Sequence, residues 1–249
     1  MMSVREYLQR PTVPGHSRSD PGLGSEEDMP IIDARPFPYQ FDINHAALIC
    51  IDMQRDFVMS GGFAESLGND VKKVAPCIPV IRELQDACRR IGVPVIHTKE
   101  CHKPDLSDLP TAKLNRGNPK MKIGSVGPLG RILIDGEGGS DFIAENYPAP
   151  GELAISKPGK DAFYRTNLHE YLIGRNISNL VITGITTEVC VQTTMRCAND
   201  RGYDCLLVKD GTDSYFPEFK EMTLRALVAQ GGIVGWTCTS DKILEALES

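Results

Sequence analysis

The chain has 249 residues and a formal net charge of −6 at pH 7. This length is sufficient for one sizeable α/β domain with its own hydrophobic core. The negative charge, with no block of basic residues, argues against a nucleic-acid partner or an anionic membrane surface. The sequence has no apolar run of membrane-spanning length and no apolar stretch typical of a secretory signal, so we predict a cytoplasmic protein with no membrane partner.

The pattern of the chain predicts an N-terminal arm, residues 1–40, followed by one folded domain, residues 41–249. The arm is rich in Pro, Gly, Ser and acidic residues and has little periodicity. The interval 103–151 contains many Gly and Pro residues, and we predict that it forms a lid over a pocket. The predicted elements are a strand at 46–52, a helix at about 70–91, strands at 93–98 and 153–156, a helix at 166–174, a strand at 179–183, a helix at 188–200, a strand at 203–208, a helix at 217–230, a strand at 232–236 and a helix at 240–247. This alternation predicts a doubly wound, mainly parallel six-stranded α/β sheet with helices on both faces.

The segment GITTEVCVQTT, Gly184–Thr194, places Cys190 where a predicted strand gives way to a helix. A residue at such a turn lies at the edge of the sheet, and the positive end of the helix dipole favours the thiolate that attacks carbonyl groups. Free cysteine is also among the most buried residue types, and the eight cysteines have no CxxC spacing, which is typical of free thiols. Taken alone, Cys190 therefore fits a structural thiol better than a nucleophile.

Two other predicted strands end in a charged residue. The segment ALICIDM is apolar up to Asp52, where an unpaired buried carboxylate would be costly. Lys157 follows the strand-like segment ELAIS in the same way. The carboxyl ends of parallel strands share one edge of a sheet, where open α/β sheets bind their ligands. We therefore expect Asp52, Lys157 and Cys190 to meet at that edge.

The motifs DMQRDF, KPGKDAF and GITTEVCV resemble those of the isochorismatase-like superfamily of cysteine hydrolases, over roughly residues 42–248. The resemblance implies a catalytic triad of Asp52, Lys157 and Cys190. It also implies a cis peptide bond between Ile185 and Thr186, and an oxyanion hole formed by the backbone N–H groups of Thr186 and Cys190. A homo-oligomer, in this family a tetramer, is implied as well.

The implied mechanism gives Asp52 the role of general base, because none of the five histidines falls within the three motifs. Asp52 takes the thiol proton of Cys190, and Lys157 stabilises the negative charge. The thiolate attacks an amide carbonyl, ammonia leaves and water hydrolyses the thioester. This chemistry requires no cofactor.

A metal site is the first alternative that the sequence raises, because the nicotinamidases of this superfamily use an acid-x-His pair. Glu100 and His102 have that spacing, but no histidine lies between His102 and His169. The set is short of the three or four protein ligands of a zinc site, so we predict no metal and a polar role for His102 near the site.

The substrate prediction rests on a less specific resemblance to biuret and ureide amidohydrolases. Gln230 matches a glutamine of those enzymes and has the donor and acceptor groups to pair with a urea group, although a helix-terminal role fits its sequence context equally. Phe57 and Tyr164 either wall the pocket or belong to the core, and Lys160 is a solvated or substrate-facing charge. Glu188 replaces the Asp or Asn of most relatives.

We therefore predict an amidohydrolase that releases ammonia from a small ureide such as biuret. An amidase for ureidoacrylate, maleamate or nicotinamide is the alternative within this class. Two alternatives from other classes are a non-catalytic interaction scaffold and a redox sensor that pairs Cys190 with Cys197, although these cysteines lie about 10 Å apart along a helix.

Overall fold

The computed structural model describes residues 29–117 and 121–248, which contain a central six-stranded sheet with helices around it. The sheet strands are β1 (Ala46–Ile51), β2 (Val95–Glu100), β3 (Leu153–Lys157), β4 (Asn179–Ile185), β5 (Asp204–Asp213) and β6 (Trp236–Cys238). The α-helices are α1 (Arg55–Val58), α2 (Phe63–Ser66), α3 (Cys77–Ile91), α4 (Thr111–Leu114), α5 (Leu168–Ile173), α6 (Gln192–Asn199), α7 (Pro217–Leu227), α8 (Ala229–Gly232) and α9 (Ser240–Glu248). Within the two described ranges, none of the helices combines the length and the apolar character that a membrane crossing requires.

Shorter elements complete the described structure. The 3-10 turns are Ile43–His45, Val71–Lys73, Gly138–Ser140 and Ala144–Asn146, and Thr187–Val191 forms a π-helical turn. Two small antiparallel pairs join Ile31–Ile32 to Tyr39–Gln40 and Val126–Gly127 to Gly130–Arg131.

The strands of the central sheet have the order β6-β5-β4-β1-β2-β3, and all are parallel. The chain runs outward from β1 through β2 to β3, and then returns to the other side of β1 with β4. This reversal makes the sheet doubly wound and places its topological switch point between β1 and β4. The predicted fold class is confirmed.

Both faces of the sheet are covered, which explains the uninterrupted apolar sequence of its central strands. Every residue of β1 and β4 is buried, as expected for parallel strands between two layers of helices. Side chains of α3 and α9 share one hydrophobic cluster with the sheet, and side chains of α5, α6 and α7 share the other. Because helices cover both faces of the sheet, a site for a ligand is expected at the edge of the sheet where the strands end.

Several element boundaries differ from those predicted. The helix predicted from about residue 70 begins at Cys77, with Pro76 as its N-cap, because a proline disfavours helical conformation in the residue before it. At the other end of the domain, β5 continues to Asp213, beyond an irregularity in its pairing with β4. The helix predicted at 217–230 ends at Leu227.

The predicted arm falls partly outside the described residues, which begin at 29. Within residues 29–40, Ile32 and Tyr39 are buried in the hydrophobic cluster that contains α3 and α9. The backbone of Arg35 forms an antiparallel bridge with Thr237 of β6. This part of the arm is therefore packed on the domain. The interval 103–151 contributes α4 and the hairpin at Val126–Arg131, and its role as a lid stays a prediction.

Candidate active site

Four neighbouring strands deliver one reactive or charged side chain each to the same edge of the sheet. Along this edge the order is Cys190 after β4, Asp52 after β1, Glu100 at the end of β2 and Lys157 at the end of β3. All four residues are buried, and the acceptor or thiol atoms of Asp52, Glu100 and Cys190 lie within 4.8 Å of one another. The three predicted triad residues are thus brought together at the switch point, with Glu100 among them.

The turn that carries Cys190 depends on a close approach of two strands. The Ile185–Thr186 peptide is cis, as the resemblance implied. Gly184 has a φ of +110°, and a Cβ added there would lie 2.1 Å from the carbonyl oxygen of Ile51. Only glycine fits such a position, because any side chain would force β4 away from β1. The π-helical turn at Thr187–Val191 then leads into α6.

Asp52 is held in an unusual backbone conformation that directs its carboxylate into the site. Its φ is 54°, a left-handed value that aspartate tolerates better than most residues. The backbone N–H donates to the Thr98 carbonyl at 3.0 Å, and the Asp52 carbonyl accepts from the Gln54 N–H at 2.7 Å. The Thr98 hydroxyl donates to Asp52 Oδ1 at 2.8 Å. Lys157 Nζ forms an ion pair with Oδ2 at 2.8 Å.

The electrostatics of the site keep Cys190 protonated at rest. Burial raises the pKa of the Cys190 thiol well above its ordinary value, although the neighbouring Lys157 acts in the opposite direction. The pKa of Lys157 is raised, because the attraction of Asp52, Cys190 and Glu100 outweighs its burial. The sequence argument for a thiolate considered only the helix dipole, whereas the burial of the thiol raises its pKa. A base is therefore required to activate the thiol.

Glu100 is a member of the site that the sequence analysis considered only as a metal ligand. Its Oε2 accepts a hydrogen bond from the Cys190 thiol, with an Sγ to Oε2 distance of 3.7 Å. Burial alone would raise the pKa of Glu100, but the ammonium groups of Lys160, Lys157 and Lys113 lower it to about 2. The side chain is therefore an ionised carboxylate beside a neutral thiol.

The backbone around Glu100 is fixed by Gln54, from the DMQRDF motif. The Glu100 N–H donates to Gln54 Oε1 at 2.6 Å, and Gln54 Nε2 donates to the Glu100 and Ser140 carbonyls at 3.1 Å each. The segment VIHTKE ends in a charged residue, as the segments ending in Asp52 and Lys157 do. That shared pattern was the signal that could have identified Glu100.

The acid-x-His pair does not face an open metal position. Lys113 Nζ lies 2.8 Å from Glu100 Oε1 and 2.9 Å from His102 Nε2, so an ammonium group stands between the two side chains. Within residues 29–117 and 121–248, the group of three donors close enough to share an ion is Asp52, Glu100 and Cys190. Both carboxylates of that group already pair with lysines. The positive charge that balances these two carboxylates comes from lysine side chains.

The remaining predicted site residues lie around this centre at different distances. Glu188 is in the π-helical turn, where burial raises its pKa, and its Oε2 has no hydrogen-bond partner within the described structure. Lys160, half-exposed, forms an ion pair with Glu100 at 2.6 Å. The ring of Tyr164 lies over Gly159, whose carbonyl accepts from Lys157. Phe57 packs against the core and accepts a hydrogen bond from Tyr215 at its carbonyl.

The structure of one chain places Gln230 apart from the other predicted site residues, and its role in binding a urea group stays a prediction. Gln230 is exposed and lies in α8, between the end of α7 and the start of β6. The nearby Gly235 approaches the carbonyl oxygen of Cys205 near the start of β5, which is the edge of the sheet opposite to Cys190. A seven-residue strand such as β4 spans roughly 20 Å, so the amide of Gln230 lies far from the Cys190 thiol of the same chain.

A doubly wound α/β fold with a buried thiol, a carboxylate and a lysine at its switch point defines the class of cysteine hydrolases. The family model described as the isochorismatase domain matches residues 46–239. The chain belongs to this family, as the three motifs predicted.

Named relatives share most of their length with this chain. The ureidoacrylate amidohydrolase RutB of Stutzerimonas stutzeri strain A1501 is 28% identical over 236 residues, which cover 90% of this chain and 92% of that protein. A crystal structure of an isochorismatase family protein from Desulfovibrio vulgaris has a TM-score of 0.68 at 25% identity, covering 83% of this chain and 100% of that one. The N-carbamoylsarcosine amidase of Thermoplasma acidophilum has a TM-score of 0.58 at 25% identity, covering 79% and 96%.

Proposed function

We propose that this protein is a cysteine-dependent amidohydrolase that cleaves a C–N bond of a small ureide and releases ammonia. The observation that carries the proposal is the cluster of Asp52, Lys157 and Cys190 at the switch point, with Lys157 Nζ 2.8 Å from the Asp52 carboxylate. A thiol, a base and a cation in one buried site are the groups that covalent hydrolysis of an amide requires.

In the proposed reaction, Asp52 accepts the proton of the Cys190 thiol as Sγ bonds to the substrate carbonyl carbon. Asp52 suits this role, because one of its carboxylate oxygens lies within 4.8 Å of Cys190 Sγ. The backbone N–H groups of Thr186 and Cys190 stabilise the tetrahedral oxyanion, and one such donor typically contributes about 3 kcal/mol. The C–N bond then breaks, and protonated Asp52 returns its proton to the departing ammonia.

The second half of the reaction releases the acid product. Asp52 takes a proton from water, the resulting hydroxide adds to the thioester carbonyl, and the Cys190 sulfur leaves and regains the proton. Lys157 keeps the charge of the pair balanced through both halves, because its ammonium stays beside the carboxylate. No step needs an oxidant, a nucleotide or a metal ion, which fits a site whose carboxylates are paired with lysines.

A ureide substrate is supported by the names of two relatives, ureidoacrylate amidohydrolase and N-carbamoylsarcosine amidase, since both compounds carry a carbamoyl nitrogen. Within this class we propose biuret. Glu188 has an oxygen without a hydrogen-bond partner in the described structure and lies in the turn that carries Cys190, which supports a role in accepting a ureide N–H. The partial exposure of Tyr164 and Lys160 supports a role for both side chains at the entrance of the site.

The experiment that tests this function measures ammonia release from biuret, triuret, ureidoacrylate, maleamate and nicotinamide. Cys190→Ala should lower turnover at least about a thousandfold. Cys197→Ala is the matched control, because this cysteine lies in the adjoining helix α6 and is free and partly exposed, and its turnover should equal that of the wild type. Rapid quenching followed by mass spectrometry should find the acyl group on Cys190. Ammonia release by Cys190→Ala at the wild-type rate refutes the mechanism, and a preference for nicotinamide refutes the substrate class.

A cytoplasmic homo-oligomer is a further part of the proposal. All eight cysteines are free, which suits a reducing compartment. The exposed side chains of Phe216, Phe219 and Met222 lie along the first half of α7 and at its N-cap, where a second copy of the chain would cover them. Light scattering coupled to size-exclusion chromatography measures the mass, and a monomer at micromolar concentration contradicts this part.

A further inference from the structure

Lys113 of α4 reaches from the 103–151 interval into the active site. Its ammonium nitrogen lies 2.8 Å from Glu100 Oε1, 2.9 Å from His102 Nε2 and 2.7 Å from the Pro158 carbonyl oxygen. A lysine ammonium has three N–H donors, so each one has an acceptor here. A solvated lysine on the surface would donate most of these hydrogen bonds to water instead.

The three acceptors come from the ends of the strands that carry the site. Glu100 ends β2, His102 follows it, and Pro158 follows Lys157 at the end of β3. Lys113 therefore ties the interval to both strand ends with one group. The contact with His102 Nε2 requires a neutral imidazole whose proton is on Nδ1, which faces Asp108 at 3.4 Å. Burial and the charge of Lys113 lower the pKa of His102, which keeps this form populated.

We propose that Lys113 is a positioning residue, the cation through which the 103–151 interval holds Glu100 against the Cys190 thiol. Lys113 acts through Glu100, whose Oε1 it binds and whose Oε2 lies 3.7 Å from Cys190 Sγ. The other cations facing Glu100 are Lys160, which binds both of its oxygens, and the buried Lys157. Without Lys113, the carboxylate is bound from the exposed side alone, and its negative charge faces the thiol with one compensating cation fewer.

The test measures the reactivity of the thiol without any substrate, so it is independent of the proposed hydrolysis. Iodoacetamide alkylation of Cys190 is followed by mass spectrometry as a function of pH. Lys113→Ala should move the midpoint to higher pH and slow alkylation about tenfold at pH 8, because a cation that offsets Glu100 is lost. Lys113→Met keeps the apolar stem and should show the same shift.

Lys99→Ala is the matched control. Lys99 also joins β2 to the interval, through an ion pair with Asp135 at 2.7 Å, but it is not one of the three lysines that lower the pKa of Glu100. Its alkylation profile should equal that of the wild type. A general loosening of the interval would instead shift the Lys99 and Lys113 variants alike, and that result overturns the inference.

Chemical rescue provides the second readout. Ethylammonium should restore the alkylation profile of Lys113→Ala, because it can donate hydrogen bonds in the vacated position, whereas tetramethylammonium cannot. The role of Lys113 in catalysis rests on the proposed function. In the Lys113→Ala variant, kcat for ammonia release should fall at least about tenfold, with KM changed less. An unshifted profile in both Lys113 variants, or a shift that ethylammonium does not reverse, refutes the inference. If the alkylation profile of Lys113→Ala shifts and ethylammonium restores it, but the wild type releases no ammonia from any tested amide, the proposed hydrolysis is refuted and the role of Lys113 is supported.

Discussion

The close approach of β4 to β1 at Gly184 predicts a large effect of the substitution Gly184→Ala. The added Cβ would lie 2.1 Å from the Ile51 carbonyl oxygen and 2.5 Å from the Ile51 nitrogen, and φ at this position is +110°. The left-handed backbone conformation costs alanine about 1–2 kcal/mol. Overpacking against a backbone costs about 1–3 kcal/mol more. We therefore expect the free energy of unfolding to fall by about 2–5 kcal/mol.

Gly202→Ala separates the two contributions. Gly202 has a φ of +85°, but a Cβ added there meets nothing within 4 Å. This variant should lose only the conformational part, about 1–2 kcal/mol. Urea unfolding followed by circular dichroism measures both values. If the two variants are destabilised equally, the contact with Ile51 has no energetic weight and the reasoning is refuted.

The same substitution should also affect catalysis, because Ile51 directly precedes Asp52 in the chain. Forcing β1 and β4 apart moves the base relative to the nucleophile, and a displacement of about 1 Å typically costs roughly 100-fold in rate. Gly202→Ala lies at the other edge of the sheet, before β5, and should keep its turnover.

Three further predictions concern the charged and polar side chains. Asp52→Asn should abolish ammonia release, because an amide cannot accept the thiol proton, and near-native turnover of this variant contradicts the assignment of the base. The pKa of Glu100 is lowered from 4.5 to about 2, so its contribution of about 3 kcal/mol is present above pH 4.5 and lost as the pH falls through about 2. Glu100→Gln should remove this part of the acid-induced loss of stability, and unfolding curves of both proteins at pH 7 and pH 3 measure it. Gln230→Leu should leave kcat/KM for biuret unchanged, and a drop of about fivefold or more would show that Gln230 acts in the site after all.

The positions of Asp52 and Cys190 could be predicted from sequence, because each follows an apolar strand at a turn with a distinct motif. Glu100 ends a strand in the same way, but strand order is not a property of the local sequence. Only the pairing of Ile51 with Thr98 and of Glu100 with Lys157 shows that β2 lies between β1 and β3. Lys113 had no sequence signal, because α4 is a single turn within an interval that lacks periodicity.

The position of Gln230, apart from the other predicted site residues of its chain, has a different explanation. Gln230 was assigned to substrate binding because of a likeness to other amidohydrolases. The predicted alternation of helices and strands already limited which edge of the sheet this residue could occupy. In a parallel sheet, the link from a helix to the next strand lies at the amino edge, and the site occupies the carboxyl edge. A residue between α7 and β6 therefore belongs on the far side of its own domain.

The sheet order has one more consequence, for how this site can vary. Lys157 reaches Asp52 across the end of β2, over two strand spacings or about 9–10 Å. The intervening position is Glu100, so its carboxylate shares one buried space with the ammonium groups of Lys157, Lys160 and Lys113. Exchanging Glu100 for a neutral residue would leave an excess of positive charge there. Homologues and laboratory-evolved variants should therefore change position 100 together with position 113 or 160, as a coupled set.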